Sequence, residues 1–265
     1  MTTADDATIG VTGKAVGRVD FNLKRFVDMI ERSPRFVWER AMFCPCPSVN
    51  DQTQQPDPNC TKCKGVGWLW FGPAGYVVPP EAGTLTPVQK AVVDRNGGAV
   101  ICAFMAEATY RQAGYDTLGT WAFGQMHVTV RPENKLGYYD RLINLDSEIV
   151  FSQRVLSGGE GKLSLRYPAI NVANVQSSTA TYLEGRDFEV VGGDIIWLSG
   201  RAPASGTQLA AHYTCHPAWI VTSYPHVIRA TTNDRKPKKP VVSPEGNPQN
   251  LPIRARVQLE FEREG

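Results

Sequence analysis

Four cysteines crowd into twenty residues, and this cluster constrains the fold more than any other feature of the chain. They form two pairs, Cys44-Pro-Cys46 and Cys60-Thr-Lys-Cys63, with Gly65 and Gly67 after the second pair. Zinc binds four thiolates tetrahedrally, and two close pairs joined by a polar loop can surround one ion. The spacing therefore predicts a structural zinc knuckle, with Zn²⁺ held by Cys44, Cys46, Cys60 and Cys63.

Two alternatives remain open for this cluster: cysteines that bind no metal, with or without disulfides, and a catalytic zinc. A cytoplasmic setting disfavours disulfides. A catalytic zinc keeps an open coordination position and needs a nearby base, and no His or carboxylate pair near the cluster offers one. We therefore interpret the cluster as a structural site.

The rest of the sequence favours β structure. Gly 24 and Pro 19 are too many for a helical bundle, and the 42% hydrophobic content is too high for disorder. Short aromatic runs on either side of the cysteines predict two flanking strands, and 138–228 has the clearest β pattern. We predict a mainly β fold, a sandwich or distorted barrel, with one N-terminal helix, a short helix near 86–94 and an inserted four-cysteine zinc knuckle.

Changes in composition divide the chain into six parts. They are a flexible N-terminal arm at 1–17, a helix and lead-in strand at 18–43, the zinc knuckle at 44–67, a β-rich body at 68–228, a basic Pro-rich linker at 229–252 and a C-terminal strand at 253–265.

The linker and the C-terminal strand are predicted to make contacts between subunits. The formal net charge is only +2, yet the linker holds five prolines and the basic cluster Arg235, Lys236, Lys238 and Lys239. After it, Ile253, Val257, Leu259 and Phe261 alternate with polar residues, as in a half-buried strand. We expect this strand to add to a neighbouring subunit, so that a chain cut after Arg229 stays folded but does not assemble. The alternatives are that the linker is only solvated or that it lies against DNA.

No catalytic constellation is recognisable. Cys215 lies beside His216 and near His212, but adjacent residues on a strand point to opposite faces, so we expect a buried structural cysteine. The N-terminus lacks a signal-peptide pattern, and no apolar run is long enough to span a bilayer. We therefore expect a protein that is not an enzyme, has no small-molecule substrate and does not bind membranes.

Two stretches resemble neck, or head-to-tail connector, proteins of tailed bacteriophages. One runs from Trp38 to Cys46 and continues from Asp57 to Trp68; the other consists of Tyr182–Val190, Ile195–Trp197 and Pro203–Thr207. The resemblance implies a structural subunit of the virion, made in the host bacterial cytoplasm, that forms a homo-oligomeric ring (collar) between capsid portal and tail. Its partners would be itself, adjacent virion proteins and, in one possible contact, packaged DNA.

Two other functions remain as alternatives. A zinc-ribbon nucleic-acid-binding protein would use the knuckle, although the loop Asp51–Asn59 carries carboxylates and no Lys or Arg. A carbohydrate-binding tail adhesion module would use exposed Trp and Tyr side chains.

Overall fold

The computed structural model describes most of the chain, and strands dominate it. The described residues are 28–46, 48–50, 55–63, 65–73, 84–107, 124–131, 133–223, 226–227 and 253–260. The strands are β1 Arg35–Phe43, β2 Ser48–Asn50, β3 Gln55–Pro56, β4 Trp68–Phe71, β5 Ala99–Glu107, β6 Gln125–Val130, β7 Arg141–Asn144, β8 Ile149–Leu156, β9 Lys162–Leu163, β10 Ala169–Gln176, β11 Thr181–Tyr182, β12 Phe188–Val191, β13 Asp194–Trp197, β14 Gln208–Cys215, β15 Ala218–Val221, β16 His226–Val227 and β17 Ile253–Leu259. The prediction of a mainly β fold is confirmed.

Six antiparallel strands form a closed barrel. Their order is β15-β7-β1-β5-β6-β17, and pairing of β15 with β17 closes the ring. Side chains alternate across each strand, so Phe36 and Trp38 of β1 lie in the barrel core whereas Val37 between them faces outward. The barrel is therefore one hydrophobic core, filled by side chains from all six strands.

A second core lies outside the barrel. There a four-stranded sheet, β11-β10-β14-β8, and a three-stranded sheet, β12-β13-β9, share a buried cluster with Val37 and Val100 of the barrel. Tyr213 and Trp197 are among its large members. The outward face of the barrel is thus covered on this side by sheet.

One helix, α1 (Pro87–Asn96), packs Val92 into this second core. Its start is fixed by a capping box: the Gln89 backbone N–H donates to Thr86 Oγ1 at 3.2 Å, and the Thr86 backbone N–H donates to Gln89 Oε1 at 3.0 Å. Gly97 ends it at φ 66°, a left-handed conformation that glycine adopts readily. The helix predicted near 86–94 is therefore confirmed. Residues 28–31 are also helical, and the rest of the predicted N-terminal region, 1–27, lies outside the described residues.

The C-terminal strand lies in its own chain's barrel. β17 pairs with β6 on one side and with β15 and β16 on the other, and Ile253 and Val257 point into the barrel core. The sequence predicted that this strand reaches a neighbouring subunit; in the structure its apolar face instead completes the barrel, with Leu259 packed at the margin of the core. The other residues predicted for assembly, Arg235, Lys236, Lys238, Lys239 and Phe261, lie outside the described residues.

A buried ion network joins β1, β7 and the end of β17. The Glu39 side chain is fully buried, and its Oε2 lies 2.6 Å from a guanidinium nitrogen of Arg141. Asn96 Nδ2 donates to Glu39 Oε1 at 3.0 Å. Arg141 also lies 3.6 Å from Glu260, the residue that follows β17, and 4.5 Å above the Trp70 ring. The network therefore links the end of β17, one of the two strands that close the barrel, to β1, the strand that Cys44 follows.

We expect Glu39→Ala to lower the free energy of unfolding by about 3–5 kcal/mol, because the substitution leaves the buried Arg141 without its main counter-ion. Denaturant unfolding of the two proteins measures the difference. Glu189→Ala, which removes an exposed carboxylate from β12, is the matched control and should change the free energy by less than about 0.5 kcal/mol. Equal effects of the two substitutions would contradict the role of the network.

Candidate metal centre

The cysteine cluster stands on a two-stranded ribbon formed by the end of β1 and by β4. The two strands pair antiparallel from Arg40–Phe71 to Phe43–Trp68. Cys44 follows β1 directly, and its backbone N–H donates to the carbonyl of Gly67, just before β4, at 2.8 Å. The predicted pair of flanking strands is therefore confirmed, and the ribbon fixes both ends of the knuckle.

The four sulfurs are arranged as a tetrahedral metal site requires. Cys44 Sγ lies 3.7 Å from Cys60 Sγ, and Cys46 Sγ lies 3.8 Å from Cys63 Sγ. All four sulfurs lie within 4.8 Å of one another. A tetrahedron with metal–sulfur bonds of about 2.3 Å has edges of about 3.8 Å, which matches these distances. No disulfide joins any of the chain's cysteines, so the disulfide alternative is wrong.

Backbone groups in the knuckle are directed at the sulfurs. Hydrogen bonds from the backbone of Cys63 and Lys62 to the Cys60 sulfur lower the pKa of that thiol to about 7. The pKa of Cys44 is raised to about 12, first by burial and then by its thiol neighbours. A bound cation would deprotonate the set and release protons to solvent. The donor set thus suits a thiophilic ion.

Tight turns bring the second cysteine pair to the first. The Cys60 N–H donates to the Asp57 carbonyl at 3.1 Å, and the Val66 N–H donates to the Cys63 carbonyl at 3.0 Å. Gly67 has φ +83°, and a Cβ at this position would lie 3.1 Å from Pro56 Cγ. Both the left-handed backbone and the close approach therefore require glycine at this position.

We expect Gly67→Ala to strain the knuckle by about 1–2 kcal/mol, because a residue with a Cβ is disfavoured in the left-handed region. If this strain raises the free energy of the metal-bound form alone, the affinity for the metal drops about tenfold. Competition with a chromogenic chelator measures the affinity. Gly158→Ala is the control, since a Cβ there meets nothing within 4 Å. Unchanged affinity in Gly67→Ala would contradict the proposed constraint.

Stacked aromatic rings brace the ribbon. Phe43 stacks on Trp68 with ring centroids 4.2 Å apart, and the Trp68 ring centroid lies 4.1 Å from that of Tyr139. Tyr139 itself has φ 67°, and its carbonyl accepts a hydrogen bond from Trp70 Nε1 at 3.1 Å. Asp140, the next residue, accepts from the Ala41 backbone N–H at 3.0 Å. The support by Tyr139 has no signal in the local sequence, because a loop about 70 residues away in the chain supplies it.

The residues considered for nucleophilic chemistry do not form a site. Cys215 is fully buried in the second core, and burial raises its pKa to about 12, so the thiol stays protonated at neutral pH. His216 Nδ1 lies 2.9 Å from the Ser147 carbonyl oxygen, and His212 is exposed on the outer face of β14. This arrangement agrees with the predicted structural role of Cys215.

The chain matches no protein-family model, and no curated protein matches it. Within the described parts of the chain, none of the helices combines the length and the apolar character needed to cross a membrane.

Proposed function

We propose that this protein is a non-enzymatic structural subunit of a tailed-bacteriophage virion. It forms a homo-oligomeric ring in the neck, between capsid portal and tail, and carries a structural zinc. The resemblance of 38–46, 57–68, 182–190, 195–197 and 203–207 to neck proteins supports the virion assignment. Its partners are further copies of itself and the adjacent virion proteins.

One observation carries the assembly role: the ribbon has apolar side chains that its own chain leaves uncovered. Phe43 is 70% exposed, and Met42 and Phe71 are 45% and 41% exposed. In the register of β1 and β4, Phe43 lies on one face of the ribbon, whereas Met42 and Phe71 lie on the other. A two-stranded ribbon with apolar residues on both faces is marginally stable in water, so burial by a partner would stabilise it.

Zinc is the ion that the site suits best. Four thiolates at tetrahedral spacing favour Zn²⁺ over Mg²⁺ or Ca²⁺, which prefer oxygen ligands. Four cysteines would fill the coordination shell and leave no position for a substrate. The ion would therefore hold the knuckle and the ribbon in place and would take part in no reaction.

The oligomeric state of the full chain tests the proposal. We expect sedimentation velocity at micromolar concentration to give one species larger than a monomer, and electron microscopy of that species to give closed rings. A chain that stays monomeric at all accessible concentrations would contradict the proposal. Salt-dependent binding of DNA by such a monomer would favour a zinc-ribbon nucleic-acid-binding protein, and glycan binding would favour an adhesion module.

A further inference from the structure

The shortest contacts between thiols of the knuckle join its two halves. Cys44 Sγ lies 3.7 Å from Cys60 Sγ, and Cys46 Sγ lies 3.8 Å from Cys63 Sγ. In each contact one sulfur belongs to the first cysteine pair of the sequence and the other sulfur to the second pair. A disulfide bond is about 2.05 Å long, so each contact has to shorten by only about 1.7 Å to become covalent.

A small oxidant can reach these thiols, and each of them has a partner within the cluster. Cys63 is buried, whereas the other three cysteines of the cluster are half-buried. A sulfur that is oxidised to a sulfenic acid condenses with a thiol beside it. Cys102 and Cys215, the two cysteines outside the cluster, are buried in β5 and β14. Oxidation is therefore directed to the knuckle.

We propose that hydrogen peroxide replaces the zinc by two disulfides, Cys44–Cys60 and Cys46–Cys63, and leaves the knuckle closed. The inference rests on the structural zinc of the proposed function and adds a redox response to that site. The metal and the pair of disulfides are alternative cross-links between the same two halves of the knuckle.

The reaction balances at each pair of sulfurs. The first thiolate attacks one oxygen of the peroxide, the O–O bond breaks, and a sulfenic acid and a hydroxide ion form. The second thiolate then attacks the sulfenic sulfur, so that the S–S bond forms, the S–O bond breaks and a second hydroxide leaves. Two electrons pass from each pair of sulfurs to one peroxide. Four thiolates therefore consume two peroxides, and the zinc is released as Zn²⁺.

The pairing of the cysteines decides what happens to the ribbon. Disulfides within the halves, Cys44–Cys46 and Cys60–Cys63, would leave the two halves unconnected. Disulfides between the halves connect the segment that follows β1 to the segment that precedes β4, as the metal does. The oxidised knuckle should therefore keep Trp68 stacked on Phe43.

This exchange has a use in the proposed function. The protein is made in a cytoplasm that keeps thiols reduced, and it leaves that cytoplasm with the particle for more oxidising surroundings. Thiolates that hold zinc are exposed there to oxidation. Cross-links between the same two halves then preserve the shape of the knuckle after the ion is lost.

Titration of the zinc-loaded protein with hydrogen peroxide tests the exchange. Two peroxides per chain should release one zinc to a chromogenic chelator that is too weak to extract the ion from the reduced site. Free thiols should fall from six to two, and the mass of the chain should fall by four hydrogen atoms. Trp68 fluorescence should stay that of the zinc-loaded protein. Cys102→Ala is the control and should release zinc at the same peroxide ratio, ending with one free thiol.

Peptide mapping identifies the cross-links. Cleavage before Asp51 and after Lys62 places the first cysteine pair, and each cysteine of the second pair, on three separate peptides. Disulfides between the halves should hold all three peptides together, whereas disulfides within the halves would leave the first peptide separate. Fragmentation at the Cys44–Pro45 bond in the mass spectrometer then shows whether Cys60 is joined to Cys44.

Four results would overturn the inference: zinc retained after two peroxides per chain, a gain of oxygen mass instead of a loss of hydrogen, disulfides in any other pairing, or a shift of Trp68 fluorescence like that on chelation. If the reduced protein contains one zinc and forms rings, the proposed function survives each of these results. Reduced protein without zinc would contradict both this inference and the structural zinc of the proposed function, and sedimentation measures ring formation separately.

Discussion

Removal of the metal is expected to unfold the knuckle and leave the barrel intact. Protein purified under reducing conditions should contain one zinc per chain by elemental analysis. The turn hydrogen bond from the Cys60 N–H to the Asp57 carbonyl acts within the second half of the knuckle, so it does not hold the second cysteine pair to the first when the ion is absent. Binding energy of a structural zinc is folding energy for the segment that holds it, about 10 kcal/mol or more in small zinc domains. Its loss should therefore release 44–67 locally.

Trp68 reports this change because its ring stacks on Phe43 and contacts the tilted ring of Tyr139 at the base of the knuckle. Chelation, or Cys63→Ser, should shift its fluorescence toward that of exposed tryptophan, while the far-UV circular dichroism of the barrel strands persists. Cys102→Ala, a cysteine of β5 outside the cluster, should leave zinc content unchanged. Protein without stoichiometric zinc, or full cooperative unfolding on chelation, would contradict the expectation.

Loss of β17 is expected to unfold the barrel. Val257 is fully buried and pairs with Met126 of β6 and Val221 of β15. Val257→Asp would place a carboxylate in the barrel core with no partner, at a cost of several kcal/mol, comparable with the whole stability of a domain. A chain ending at Arg229 should behave in the same way, because it opens the barrel between β6 and β15.

Near-UV circular dichroism measures the loss of tertiary packing in these two variants, and denaturant unfolding measures their loss of stability. Gln258→Asp, one position along the strand and on its outward side, is the matched control and should stay folded. A chain ending at Arg229 that remains folded and binds zinc would contradict the expectation. That result would instead restore the sequence-based prediction, in which the strand adds to a neighbouring subunit and the rest of the chain folds without it.

The cysteine site shows how much a local pattern can determine. The spacing of Cys44-Pro-Cys46 and Cys60-Thr-Lys-Cys63 was enough to predict the cluster of four sulfurs, because short loops restrict how far apart their ends can lie. Gly67 was predictable as a turn residue for the same reason. Capping of α1 depends on Thr86 and Gln89, which are three residues apart, and the sequence placed that helix correctly. Each of these features rests on interactions within about twenty residues.

The sequence by itself therefore determined the cluster of four cysteines that could hold a metal ion, the mainly β class and the short helix. Only the tertiary structure decided the position of β17, the burial of Glu39 beside Arg141 and the bracing of the ribbon by Tyr139. An alternating strand such as Ile253–Leu259 can add to any suitable sheet edge, so its pattern does not specify which edge it joins. Likewise, a glutamate in a strand gives no sign that an arginine about 100 residues away will neutralise it. These contacts are fixed by the packing of distant segments, where the free energy of burying apolar side chains in one closed barrel selects a single arrangement.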